Sequence, residues 1–158
     1  MGSQPYGDYL VFDAKSVYGV RARNAQSVNG GYFTPGGKGY ELFGVDLKSN
    51  PGKSRGDSHG RRPTPKNRWS VHAPVRVSSM ALAGEMLLAA GTPDTIDAQE
   101  PWAAYEGRRG GRLLVLSAAD GKTLRTLKLD DAPLYDGMAV AGGRMFLSTS
   151  TGKLICYK

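Results

Sequence analysis

The feature that most constrains this chain is an internal repeat. Met80-Ala81-Leu82-Ala83-Gly84 matches Met138-Ala139-Val140-Ala141-Gly142 position by position. Met86-Leu87-Leu88 then matches Met145-Phe146-Leu147, with one extra glycine in the second copy. Upstream, Pro74 and Pro133 each follow an alanine, and Glu41-Leu42-Phe43-Gly44-Val45 parallels Arg112-Leu113-Leu114-Val115-Leu116. Each copy reads strand, turn, strand, Pro, strand, Gly turn, strand. A unit of this kind with one apolar face cannot bury that face alone, so copies must stack.

The repeat decides an ambiguous segment. Residues 80–90 are rich in Ala, Leu, Met and Glu, good helix formers that taken alone favour a helix. Gly84 aligns with Gly142-Gly143, a hairpin signal, so the segment is predicted as two short strands around a turn. Elsewhere, residues 8–22 predict two strands broken at Asp13-Ala14-Lys15-Ser16, and residues 40–47 a further strand. Residues 69–77 read as a strand interrupted by Pro74. Residues 111–117 and 123–129 predict strands around the turn Ala119-Asp120-Gly121-Lys122. Residues 138–141, 144–149 and 153–157 complete the series. Short β-rich runs with regular turn signals and no required amphipathic helix predict an all-β chain.

The 158 residues suit one domain, and 40% apolar content is enough for a core. The net charge of +7 is concentrated. Lys48, Lys53, Arg55, Arg61, Arg62, Lys66 and Arg68 face only Asp57 within residues 48–68, leaving the rest of the chain near neutrality. This basic inserted loop is rich in Gly, Pro and Ser and cannot build a core. Those seven cations form a candidate polyanion-binding set. No aromatic interleaves with them before Trp69, which deprives nucleobases of a stacking platform. Residues 91–110 form a second, acidic loop. No segment approaches the roughly 20 apolar residues of a membrane span, and the N-terminal residues lack the pattern of a signal peptide. Cys156, the single cysteine, allows no internal disulfide and is expected to be a small buried residue of the last strand.

Residues 110–129, with the run Ala118-Ala119-Asp120-Gly121-Lys122 after an apolar strand, resemble the repeat of quinoprotein-like (pyrroloquinoline-quinone repeat) β-propellers. Residues 133–157 resemble the end of such proteins, including large exported propellers of planctomycete-type bacteria. The resemblance extends over residues 68–158 and is weaker over 8–47. Trp69 holds the repeat's tryptophan position in the first copy, where the second has Arg125. Asp46 keeps the aspartate before the turn, where the second copy has Ser117. The resemblance implies antiparallel four-stranded blades, two to three of them, in a single propeller segment over residues 1–158. It implies partners in the remainder of a longer chain or in copies of this one, and a periplasmic or exported parent. Another protein or a polyanion is a further expected partner.

The resemblance also raises quinone-dependent oxidoreduction, as part of a longer enzyme. The chain has no adjacent cysteine pair, and Asn24, Asn29, Asn50 and Asn67 lie in loops. No cofactor and no catalytic residue is therefore expected. Asp94, Asp97, Glu100 and Glu106 could hold Ca²⁺, but their spacing fits no EF-hand and a solvated loop is expected. His59 and His72 stand in no hydrolase motif, and Gly30-Gly31 and Gly36-Gly37 precede no P-loop lysine. Tyr6, Tyr9, Tyr18, Tyr32, Tyr40, Trp69, Trp102 and Tyr105 are candidates for a binding face. A non-catalytic binding or scaffold module is the resulting expectation.

Overall fold

The computed structural model describes residues 9–22, 39–48 and 66–158. Every regular element among them is a β-strand. The first sheet is a four-stranded antiparallel meander of β1 (Tyr9–Phe12), β2 (Ser16–Ala22), β3 (Tyr40–Asp46) and β4 (Trp69–Ala73). The second contains β5 (Val75–Ala83), β6 (Met86–Pro93), β7 (Gly111–Ser117) and β8 (Thr123–Leu129) in the same order. The third has β9 (Pro133–Ala141), β10 (Arg144–Thr149) and β11 (Leu154–Tyr157). None of the three closes on itself among the described residues.

Sheet boundaries fall at Pro74 and just before Pro133. Proline has no N–H for a ladder bond, so each repeat proline marks where the chain leaves one sheet for the next. The sequence repeat therefore straddles the sheets. Each copy supplies the last two strands of one sheet and the first two of the following one.

Residues 80–90 form a hairpin, as the repeat requires. Leu82 pairs with Leu87 and Ala83 with Met86, leaving Gly84-Glu85 as a two-residue turn. Gly84 has φ of +59°, which suits the first central position of a type II′ turn. Their helix-like composition has a different cause. The inner strands β6 and β7 are covered on both faces, so they read as near-continuous apolar runs instead of alternating. Leu87, Ala89, Leu114 and Leu116 pack against Tyr18, Val20, Leu42 and Trp69 of the first sheet. Leu88, Ala90, Leu113 and Leu129 pack against Met145 and Leu147 of the third. Each fully buried leucine contributes about 1.5–3 kcal/mol.

The first strands of the three sheets are neighbours: β5 packs against both β1 and β9. The Tyr9 hydroxyl meets Asp136 near the start of β9, and Trp69 meets the β7–β8 turn, so the sheets present matching ends. One end carries the β1–β2, β3–β4, β5–β6, β7–β8 and β9–β10 connections, and we name it the Trp69 end. The other carries the starts of β1, β5 and β9 with the β2–β3, β6–β7 and β10–β11 connections, and we name it the Tyr135 end.

Candidate functional site

Among the described residues of the Trp69 end, Asp13, Asp46, Arg68 and Trp69 find their partners within the protein. Trp69 opens β4 and donates its indole N–H to the Ala118 carbonyl, at 2.9 Å, in the β7–β8 turn of the second sheet. Its ring lies against Gly121, where an added Cβ would stand 2.4 Å from the ring. Gly121 also has φ of +75°, so both backbone conformation and space demand glycine there. Arg68 donates to the same Ala118 carbonyl at 2.8 Å, to the Tyr18 hydroxyl at 3.2 Å and to Ser16 Oγ at 3.2 Å. It also forms an ion pair with Asp46. Asp13 Oδ1 accepts the backbone N–H groups of Lys15 and Ser16, each at 2.7 Å, and those bonds hold its carboxyl below the usual range.

The Tyr135 end is built differently, although exposed aromatics are common to both ends: Phe12, at the Trp69 end, is 74% exposed. At the Tyr135 end aromatic side chains are exposed, and the first strand of the third sheet is irregular. Pro133 pairs with Thr149 and Met138 with Leu147, so Leu134, Tyr135, Asp136 and Gly137 oppose Ser148 alone. Asp136 takes φ of +54°, the only non-glycine residue with positive φ among the described residues. Asp tolerates this conformation better than most side chains. Bulges of this kind re-aim side chains and recur beside binding sites. Tyr135 is 76% exposed and meets Tyr9 edge to face, with ring centroids 5.7 Å apart. Tyr9 donates its hydroxyl to Asp136 Oδ1, joining the first sheet to the third. Burial, and then the Asp136 carboxylate, push the Tyr9 phenol well above its usual range.

Beside this pair, Arg76 on β5 donates from Nε to the Tyr40 hydroxyl at 3.0 Å and lies 4.2 Å above the Tyr105 ring. Tyr105 makes an edge contact with Trp102, which is 54% exposed. His72 and Asp94 flank Gly39, which has φ of +72° and where an added Cβ would stand 2.5 Å from the His72 ring and 3.1 Å from Asp94 Oδ2. Burial raises the Asp94 carboxyl, opposed by the charges of His72 and Arg76.

The remaining acidic-loop carboxylates are paired with arginine. Asp97 and Glu100 engage Arg109, and Glu100 and Glu106 engage Arg108. Asp97 Oδ1 also accepts the backbone N–H groups of Gln99 and Glu100. An open cleft of about 370 Å³ lies between Pro93, Ile96, Ala104, Arg109 and Arg112. No group of three or more His, Cys, Asp or Glu side chains stands in metal-binding proximity among the described residues.

The sequence candidates thus separate. Of the polyanion set, Lys48, Lys66 and Arg68 lie within the described residues, and Lys53, Arg55, Arg61 and Arg62 lie outside them. Arg68 turns inward to the second sheet. Tyr18 and Trp69 pack between sheets, whereas Tyr9, Tyr40, Trp102 and Tyr105 gather at the Tyr135 end. Tyr6, Tyr32 and His59 lie outside the described residues. The two inserted loops leave their sheets at opposite ends. Cys156 corrects its expectation: it lies on β11 opposite Phe146 but is exposed, because no further sheet covers that face among the described residues. Tyr135 and Asp136 were not anticipated as site residues. Their signal is the Leu-Tyr-Asp-Gly run that follows Pro133, where the first copy has strand-type Val75-Arg76-Val77 after Pro74.

No helix among the described residues is long and apolar enough to cross a membrane. No protein-family model and no curated protein matches the chain.

Proposed function

We propose that the three sheets are consecutive propeller-type blades, and that the chain is a non-catalytic binding module whose ligand meets the Tyr135 end. Support for the blade arrangement comes from the neighbouring first strands β1, β5 and β9 and from the Trp69 dock onto the next sheet's turn. The observation that carries the binding reading is the bulge at Leu134–Gly137. It breaks the β9–β10 ladder and presents exposed aromatic and acidic side chains at the line where the first strands converge. Bulges that re-aim side chains recur beside binding sites, and this one turns Asp136 into the left-handed region and leaves Tyr135 exposed.

The test is a ligand screen on the purified chain, with pools of glycans, peptides and small organic ions, read by amide NMR shifts. Binders are expected to move residues 9, 76, 102–105 and 134–137. Hits confined to residues 13–15, 46–48 and 66–68 would contradict the assignment. Saturable binding of pyrroloquinoline quinone with Ca²⁺ at micromolar concentration would replace the module by part of an oxidoreductase.

A further inference from the structure

The geometry points to an organic-ammonium site formed by Tyr9, Tyr135 and Asp136, a ligand class that deepens the binding-face reading and rests on it. Three observations converge. The Asp136 carboxylate forms no ion pair among the described residues, although seven such pairs occur elsewhere. Its bond from Tyr9 engages Oδ1, which leaves Oδ2 to accept from a ligand. The two tyrosine rings meet at 66° beside it, and Tyr135 is 76% exposed.

An unneutralised carboxylate attracts positive charge, and ring faces add quadrupole attraction for a cation within about 6 Å. Rings favour a weakly hydrated organic cation over a metal ion, which would have to shed tightly held water. A carboxylate with two aromatic neighbours is the chemistry that recognises alkylated or primary ammonium groups. The backbone arrangement has a matching logic. The bulge frees residues 134–137 from the ladder, and the left-handed turn at Asp136 brings its carboxylate to the Tyr9 hydroxyl of another sheet. The site therefore exists only when the first and third sheets are both in place.

The experiment is an NMR titration of the whole chain with tetramethylammonium chloride and with n-butylammonium chloride, each against sodium chloride at matched ionic strength. The expected result is a saturable shift confined to Tyr9 and residues 134–137, in the millimolar range that an open site allows. Stronger binding of tetramethylammonium assigns the site to a quaternary ammonium. Stronger binding of butylammonium assigns it to a primary amine such as a lysine side chain. Asp136→Asn keeps a residue that tolerates positive φ, and is expected to weaken binding about tenfold, as is Tyr135→Ala. Shifts equal to those of sodium chloride, an unweakened Asp136→Asn variant, or an equal response to neutral methyl glucoside would overturn the assignment. If both ammonium ions fail while another ligand from the screen moves residues 102–105 and 134–137, the ammonium site falls and the binding-face reading stands.

Discussion

The two ends of this sheet stack are built from similar residue types put to opposite uses. Both contain a basic residue beside tyrosine, a large indole and an aspartate. At the Trp69 end, Arg68, Trp69, Tyr18 and Asp46 satisfy one another across the first and second sheets, and Trp69 is buried. At the Tyr135 end, Trp102, Tyr105 and Tyr135 remain exposed, and Asp136 has only a phenol as partner in the described interactions. The difference teaches that residue type alone does not mark a binding face. The ends differ at the indole: the Gly121 turn of the next sheet closes over Trp69, whereas Trp102 stays 54% exposed, and Phe12 at the Trp69 end is exposed like Tyr135.

The largest effect is expected from opening that dock. Trp69→Ala should cost about 3–5 kcal/mol, and Gly121→Val a comparable amount, because the new side chain meets the ring and takes an unfavourable backbone conformation. Urea unfolding measures both, and a loss below about 1 kcal/mol for either would break the contrast. Next comes Arg68→Met, which leaves the Tyr18 hydroxyl and one site on the Ala118 carbonyl without their donor. A loss of about 1–2 kcal/mol is expected in the same assay.

Smaller effects sharpen the comparison through pH. Asp13 has a lowered folded-state pKa, so its contribution is present above the ordinary carboxylate range and disappears as pH falls through the folded value. Asp94 has a raised one, so its ionisation burdens the folded state as pH rises through the folded value. Asp13→Asn should therefore destabilise at neutral pH and Asp94→Asn should stabilise, with both differences fading in acid. Stability curves between pH 3 and 7 that moved the two variants in the same direction would contradict this (the pH limits are roughly those of carboxylate titration). The smallest change is expected from Trp102→Ala, an exposed site where the effect should stay within about 0.5 kcal/mol. A larger loss would give Trp102 a fastening role like that of Trp69.

Much of the fold was legible because repetition overrides local propensity. Residues 80–90 carry helix formers, yet the glycine shared by both copies identifies a hairpin, and the apolar continuity follows from burial on both faces. Pro74 and Pro133 were legible as punctuation, but the phase of the sheets was not, since strand pairing across a proline is a tertiary choice. Cys156 is exposed where strand propensity implies burial, because burial depends on what covers the sheet. The site was legible only in part. Its aromatic residues are visible in the sequence, but their division between two ends depends on topology. The bulge at Leu134–Gly137 is hidden because it is a count of unpaired residues between two strands.

Amide hydrogen exchange across the native chain tests the two-ended arrangement most directly. The Trp69 end closes with backbone bonds from Arg68 to Gly44, Ala118 to Glu85, Ser117 to Lys122 and Gly121 to Ser117. These amides should exchange only through global opening, while those of residues 134–137 should exchange faster by about two orders of magnitude or more, as locally open segments do. Equal protection at both ends would contradict the account.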